Sequence, residues 1–216
     1  MPSAQDRRER LRRARLYLVI DAEPAERVLR AALEGGVEIV QLREKSAPDG
    51  AIVAAARRMR ALCDEHGALL IVNDRPDLAL ACGADGVHVG QDDDPLDSVR
   101  DAVGPDLIVG ISTHSPDQVE AGLESTADYL GVGPVYATPT KAGRVPVGLE
   151  LVRYAAGHAS AKPWFAIGGI DAGNAPAVAG AGASRIAVVR AIRDAGDPCA
   201  AAAALRATVA QEEAHV

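Results

Sequence analysis

The 216-residue sequence has few of the residue patterns that build disulfide scaffolds, zinc sites or membrane spans. Its three cysteines, Cys63, Cys82 and Cys199, are widely separated and form neither a CxxC pair nor a spacing shared with histidines. This pattern indicates reduced thiols, buried rather than catalytic, and disfavours zinc. No apolar run approaches the length needed to cross a bilayer. We therefore expect a cytoplasmic protein with no membrane partner.

Positive charge is also scarce, with 23 Lys and Arg against 30 Asp and Glu and a formal net charge of −7. Much of it lies at residues 1–15, so the remaining chain is more acidic still, and nucleic acid is not an expected partner. The basic segment contains Asp6 and Glu9 and precedes no apolar signal region. We expect residues 1–15 to be a basic arm, frayed or solvated as a helix, and residues 16–216 to form one domain.

Short runs of Val, Ile and Leu alternate with Ala-rich stretches along the rest of the chain. This pattern is typical of repeated βα units with a parallel sheet, and a hydrophobic content of 48% allows a full core. Proline near the start and glycine after the end favour helices at 24–34 and 49–66. The predicted strands are 16–21, 37–42, 69–73, 86–90, 107–111, 129–133, 164–168 and 185–189.

Eight strands with eight crossovers predict an α/β fold, specifically a closed (βα)8 TIM barrel with its active site at the C-terminal ends of the strands. An open doubly wound sheet is the alternative, but no GxGxxG turn follows the first strand. His88 lies within the fourth strand, and we expect it to point into the barrel as a hydrogen-bonded packing residue. Polar residues at or after strand ends fit the barrel: Gln41, Asn73, Ser112 and Thr138.

The second strand ends in residues that suit an anionic ligand. Alternation along the strand puts Gln41, Arg43 and Lys45 on one face and Val40 and Leu42 on the other. Polar side chains in a barrel mouth need a ligand or water, although a solvated strand end remains the alternative. The planar guanidinium of Arg43 can hold two phosphate oxygens and the ammonium of Lys45 adds a mobile positive charge, so together they suit a diphosphate.

Carboxylates follow the third and fourth strands. Asp74 and Asp93 are 19 residues apart in sequence, but neighbouring parallel strands end about 5 Å apart. The two side chains could therefore share Mg²⁺, with diphosphate and water completing the coordination. The alternative is that the acidic run before Pro95 only caps the next helix.

The later strands predict a phosphate-binding region. Thr138, Thr140 and Lys141 follow the sixth strand closely enough to form a clamp, and residues 142–148 form a loop that could close on a ligand. Gly168 and Gly169 end the seventh strand and allow close approach of an anion. Loops after strands seven and eight of a barrel often bind phosphate through backbone N–H groups.

Several of these segments together resemble thiamine phosphate synthases. The resemblance runs in order through nearly the whole barrel and implies a transferase that joins 4-amino-2-methyl-5-(diphosphooxymethyl)pyrimidine to 4-methyl-5-(2-phosphooxyethyl)thiazole, giving thiamine phosphate and diphosphate. The matching segments are QLREK (41–45), VNDRPDLAL (72–80), ADGVHVGQDD (84–93), GIS (110–112), YLGVGPVYATPTK (129–141) and AIGGI (166–170).

The resemblance also implies residue roles and a magnesium cofactor. Asp74 and Asp93 would bind Mg²⁺. A thiazole tautomerase-like barrel and a noncatalytic sensor of phosphorylated ligands are the alternatives, and a homo-oligomer is compatible with the sequence. The pyrimidine diphosphate would be held by Gln41, Arg43, Lys45, Asn73, Ser112 and Lys141, and the thiazole phosphate by Thr138, Thr140, Gly168, Val188 and Val189.

Overall fold

The computed structural model describes residues 2–22, 26–138, 143, 145–159 and 162–210. Its eight strands are all parallel and close into a barrel in chain order, so the predicted fold class is confirmed. Each strand begins and ends within two residues of its predicted bounds. The strands are β1 Leu16–Ile20, β2 Ile39–Leu42, β3 Leu69–Asn73, β4 Gly86–Val89, β5 Ile108–Thr113, β6 Tyr129–Val132, β7 Trp164–Ile167 and β8 Ile186–Val188.

Helices follow the strands around the outside of the barrel. The helix predicted at 49–66 has those bounds and ends at Gly67, whose φ of 69° is the left-handed conformation that glycine favours. The helix predicted from Pro24 is described from Glu26, because residues 23–25 lie outside the described ranges. The helices are α1 Ala4–Arg13, α2 Glu26–Glu34, α3 Asp49–His66, α4 Pro76–Cys82, α5 Leu96–Val103, α6 Pro116–Glu124, α7 Gly148–His158, α8 Ala175–Ala179, α9 Arg190–Arg193 and α10 Pro198–Ala210.

Strand alternation divides the core into two layers. Val40 and Leu42 belong to the layer between barrel and helices, whereas Ile39 belongs to the barrel interior. Gln41 also points inward, as predicted, because it donates a hydrogen bond to the interior Tyr17. The sequence is poor in aromatic residues, yet three of them meet inside the barrel. They are Tyr17, Tyr129 and Phe165.

Helix α1 covers the N-terminal end of the barrel. Ser3 and Asp6 form a capping box at its start. Leu11 is 2% exposed and packs with the interior cluster, and Arg7 is buried against Asp85 at 3.1 Å. The segment is helical as predicted, but the expectation of a solvated arm is wrong for these two residues. Arg7 and Leu11 are four residues apart and therefore lie on the same face of the helix. The many charged residues around them made this inward face hard to recognise in the sequence.

Three acidic residues at the same end tie neighbouring strands together. Each residue lies directly before β2, β4 or β6. Its carboxylate accepts a hydrogen bond from a backbone N–H at or near the start of the neighbouring strand β1, β3 or β5, respectively. Each also forms an ion pair with an arginine from α1 or α10. The repeated arrangement anchors the end of the barrel opposite the predicted site. The residues are Glu38, Asp85 and Asp128.

The cysteines are free thiols in the structure, as predicted. Cys63 and Cys82 are buried, and burial raises the pKa of Cys63 to about 12, so this thiol is unreactive at neutral pH. Cys199 is only partly buried, so the expectation of burial holds for two of the three. Across the described ranges, every helix is too short or too polar to cross a membrane.

Candidate active site

A cavity of about 380 Å³ opens at the C-terminal ends of the strands. Every predicted site residue that the structure describes contributes to its lining. Thr140 and Lys141 lie outside the described residues, as does part of the loop 142–148 that was predicted to close. The lining includes Gln41, Arg43, Lys45, Asn73, Asp74, Asp93, Ser112, Thr138, Gly168, Val188 and Val189.

The end of β2 brings an amide, a guanidinium and an ammonium to one side of the cavity. Gln41 is 4% exposed, and Arg43 is partly buried. Lys45 is exposed at the rim, with Nζ 3.4 Å from Oδ2 of Asp74. The alternative of a solvated strand end therefore describes Lys45 but not Gln41.

Asp74 adopts an uncommon backbone conformation at the end of β3. Its φ is 61°, the left-handed region that aspartate tolerates better than most side chains but at some cost. The Asp74 N–H donates to the His88 carbonyl at 2.8 Å, which fixes the turn next to β4. The turn and this hydrogen bond place the carboxylate at the mouth of the barrel.

Asp93 faces Asp74 from the loop after β4. Its Oδ2 accepts the Gly90 N–H at 2.7 Å, and a Cβ on Gly90 would lie 2.9 Å from that oxygen. Helix α5 has Pro95 as its N-cap and receives no side-chain capping bond, so the capping alternative does not describe Asp93. Asp93 instead lies close enough to Asp74 to raise the pKa of that carboxyl group.

The electrostatics of this pair suit a cation. The pKa of Asp74 is raised by burial and then by the hydrogen bond and negative charge of Asp93, while Lys45 lowers it. Mg²⁺ commonly binds one or two carboxylates and takes its other ligands from substrate phosphates and water. The described residues contain no group of three His, Cys, Asp or Glu side chains that could hold a metal. Asp74 and Asp93 are two carboxylates of the kind that Mg²⁺ binds.

The opposite side of the cavity is formed by the ends of β7 and β8. Gly168 and Gly169 have φ values of 104° and 65°. A Cβ on Gly168 would lie 2.5 Å from Pro134, so glycine is required for this close packing. Both glycines line the cavity together with Val188 and Val189.

Sequence reasoning missed three charged residues at this side. Asp171, Arg190 and Asp194 all line the cavity. Arg190 directly follows Val189. The pKa of Asp194 is lowered mainly by its hydrogen bond with Arg193, with a smaller effect from the charge of Arg190. Arg190 could have been identified from the sequence, because it follows the predicted phosphate-binding pair by one residue.

His88 is hydrogen bonded inside the barrel, as predicted. Its Nδ1 lies 3.0 Å from the Tyr129 hydroxyl, and its Nε2 lies 3.0 Å from Oγ of Ser112. His88 also lines the cavity. The residue predicted to serve packing thus contacts a predicted ligand-binding side chain.

Comparison with known protein families gives one family model that covers most of the barrel. The model described as thiamine monophosphate synthase matches residues 16–192. A thiamine-phosphate synthase of Saccharopolyspora erythraea is 51% identical over 211 residues, which cover 92% of this chain and 94% of that protein. A thiamine-phosphate synthase of Gloeobacter violaceus is 57% identical over 194 residues, covering 89% of this chain. This chain spans only 57% of the length of the Gloeobacter relative.

Solved structures give the same result for the fold. Thiamine phosphate pyrophosphorylase from Pyrococcus furiosus superposes with a TM-score of 0.83 and 35% sequence identity. The match covers 97% of this chain and 99% of that one. The similarity therefore includes the whole barrel and both sides of its cavity.

Proposed function

This chain belongs to the thiamine monophosphate synthase family, and on that premise we propose that it is a transferase forming thiamine phosphate and diphosphate. The substrates are 4-amino-2-methyl-5-(diphosphooxymethyl)pyrimidine and 4-methyl-5-(2-phosphooxyethyl)thiazole. The observation that carries the proposal is the shared cavity, which is lined by the β2 cations, the facing carboxylates, the glycines after β7 and the end of β8. These groups suit a diphosphate on one side and a phosphate on the other.

The pyrimidine diphosphate is assigned to the side formed by β2, β3 and β5. Arg43 and Lys45 provide positive charge for the diphosphate, and Arg43 can hold two oxygens at once. Gln41, Asn73 and Ser112 provide uncharged hydrogen-bonding groups in the same cavity. Lys141, outside the described residues, is assigned to the diphosphate from its sequence motif.

The thiazole phosphate is assigned to the side formed by β6, β7 and β8. Its contacts are Thr138, Gly168 and the backbone at Val188 and Val189, with Thr140 assigned from its motif. Asp171 and Asp194 also line this side, and two carboxylates would repel a phosphate. Arg193 already pairs with Asp194 at 2.7 Å, and we assign Arg190, which lines the cavity on this side, to charge compensation beside the phosphate.

Magnesium is proposed as the cofactor, with Asp74 and Asp93 as its protein ligands. The support is the facing pair of carboxylates and the raised pKa of Asp74. When bound, Mg²⁺ supplies positive charge that neutralises diphosphate oxygens.

Leaving-group stabilisation is the main catalytic task in this mechanism. The bond between the pyrimidine methylene and the diphosphate oxygen breaks first, because the aminopyrimidine can delocalise the resulting positive charge. Arg43 and Lys45 stabilise the negative charge that builds on the diphosphate, so their contacts strengthen in the transition state. The thiazole nitrogen then attacks the methylene carbon. It carries no proton, so the step needs no general base, and the cavity contributes by holding the two substrates together.

The proposed cellular context is the cytoplasm, with small molecules as partners. Its support is the set of three free thiols, which is typical of a reducing compartment. The acidic net charge of −7 disfavours nucleic acid.

A single incubation tests this function. The purified protein is mixed with both phosphorylated heterocycles, with and without Mg²⁺, and thiamine phosphate is detected by mass spectrometry. We expect product only when both substrates and the metal are present. Binding of both compounds without product would contradict the proposal and favour the noncatalytic sensor, and conversion of a thiazole alone would favour the tautomerase.

A further inference from the structure

A chain of hydrogen bonds crosses the barrel interior beneath the cavity. Gln41 Nε2 donates to the Tyr17 hydroxyl at 3.0 Å, and the Tyr17 and Tyr129 hydroxyl oxygens are 2.9 Å apart. Tyr129 then reaches His88 Nδ1 at 3.0 Å, and His88 Nε2 reaches Ser112 Oγ at 3.0 Å. Gln41 and Ser112 both line the cavity. The chain therefore links two substrate-facing side chains through three residues to which the proposed reaction gives no role.

The first donor fixes the direction of the whole chain. Tyr17 accepts from Gln41 Nε2, and every hydroxyl hydrogen of the chain has an acceptor within it only when Tyr17 donates to Tyr129 and Tyr129 donates to His88 Nδ1. His88 Nδ1 is then an acceptor, and the ring hydrogen on Nε2 is donated to Ser112. Burial raises the pKa of both tyrosines, so each hydroxyl keeps its hydrogen at neutral pH.

The barrel interior is shaped to hold these side chains in place. A Cβ on Gly110 would lie 2.2 Å from Cζ of Tyr129 and 2.6 Å from Nδ1 of His88. The Tyr129 ring packs edge-on against Phe165, with ring centroids 5.8 Å apart. Tyr17 packs against Phe165 in the same way, at 5.4 Å. Glycine thus provides the space for the chain, and Phe165 holds both tyrosine rings.

The direction of the chain determines what the cavity offers to a pyrimidine. The bond to Tyr17 uses one of the two hydrogens on Nε2 of Gln41 and fixes the orientation of the amide, so Oε1, an acceptor, keeps a fixed position. At the other end, Ser112 Oγ accepts from His88, so its own hydrogen is directed to another acceptor. An exocyclic 4-amino group donates hydrogens and matches Oε1, whereas a 4-oxo group would place two acceptors against each other.

We propose that Tyr17, Tyr129 and His88 are positioning residues that fix the hydrogen-bond polarity of Gln41 and Ser112 and thereby select a 4-aminopyrimidine over a 4-oxopyrimidine. This inference rests on the proposed function, because that function puts the pyrimidine beside Gln41. Without the chain, the Gln41 amide can rotate and present either its N–H or its carbonyl to the ligand.

Binding of two matched ligands tests the proposal. The 4-amino and 4-oxo forms of 2-methyl-5-(phosphooxymethyl)pyrimidine carry no diphosphate leaving group, so calorimetry measures their affinities without turnover. We expect wild-type protein to prefer the amino form and Tyr129→Phe to reduce that preference about tenfold, the effect of roughly one hydrogen bond. Tyr154→Phe is the control, because its hydroxyl bonds Glu120 at 2.7 Å, outside the chain and the cavity.

The readouts separate positioning from a merely structural role. A structural defect in Tyr129→Phe would weaken both ligands equally, and that result, like an unchanged preference, would overturn the proposal. A second measurement needs no variant: ¹⁵N NMR of wild-type protein should show His88 with its hydrogen on Nε2, and a hydrogen on Nδ1 alone would also overturn it. Thiamine phosphate formation by wild-type protein is followed separately, so a failure of this inference is distinguishable from a failure of the proposed function.

Discussion

At the residue scale, the two facing aspartates are the part of the site that sequence predicted best. The prediction needed only that β3 and β4 are neighbours, since Asp74 directly follows β3 and Asp93 lies in the loop after β4. The left-handed backbone of Asp74 and the Gly90 N–H that holds Asp93 were not predictable, because both depend on the detailed path of the loops.

Replacing Asp74 by Asn tests the proposed metal ligand. Asparagine tolerates the left-handed conformation, and the change removes one of two adjacent negative charges. We expect the metal-free protein to keep its stability or gain less than about 1 kcal/mol. The increase in melting temperature caused by Mg²⁺ and diphosphate together, present in wild type through ligand binding, should be lost. Asp94→Asn is the control, because Asp94 is exposed and outside the cavity; equal stabilisation of wild type and Asp74→Asn would refute the assignment.

Arg190 provides a second test at this scale. We expect Arg190→Ala to raise the KM for the thiazole phosphate about tenfold, because a charged hydrogen-bond donor to the phosphate is lost, while Asp194 keeps its ion pair with Arg193. The KM for the pyrimidine diphosphate should change little, since that substrate is assigned to the other side. Steady-state kinetics with each substrate varied in turn give both values. Equal changes in the two KM values would contradict the assigned position.

At the scale of elements, α1 shows why charge composition misleads. The sequence has many arginines there, and charge runs usually face solvent. In the structure, Arg7 and Leu11 turn inward and Arg8 is partly buried, whereas Glu9 and Arg10 are exposed. Burial of Arg7 depends on Asp85, which lies 78 residues away in sequence, so the pairing could not be read from local pattern.

The buried carboxylate of Asp85 should contribute far more stability than an exposed one. Arg60 pairs with both Asp85, whose side chain is 2% exposed, and Asp64, which is 60% exposed. We expect Asp85→Asn to lower the free energy of unfolding by about 3 kcal/mol, since Arg7 and Arg60 lose a buried partner. Asp64→Asn should cost less than about 1 kcal/mol. Urea unfolding of the two variants compares the buried and the exposed partner of the same arginine. Equal losses in the free energy of unfolding would contradict this description of the N-terminal end of the barrel.

At the scale of the whole molecule, barrel closure is what makes the predicted groups one site. The alternation of residues and the spacing of the strands in the sequence were sufficient to predict eight strands and to predict which side of β2 faces inward. The chain from Gln41 to Ser112 was not predictable, because it joins side chains from β1, β2, β4, β5 and β6 whose contacts exist only once the barrel closes.

The central claim is that Asp74 and Asp93 hold a divalent ion beside the diphosphate at the mouth of the barrel. Mn²⁺ accepts the same oxygen ligands as Mg²⁺ and scatters X-rays anomalously. In crystals grown with Mn²⁺ and diphosphate, we expect an anomalous peak between the two carboxylates, with the diphosphate reaching Arg43. A bound diphosphate with the manganese peak elsewhere, or with no peak between these side chains, would contradict the account.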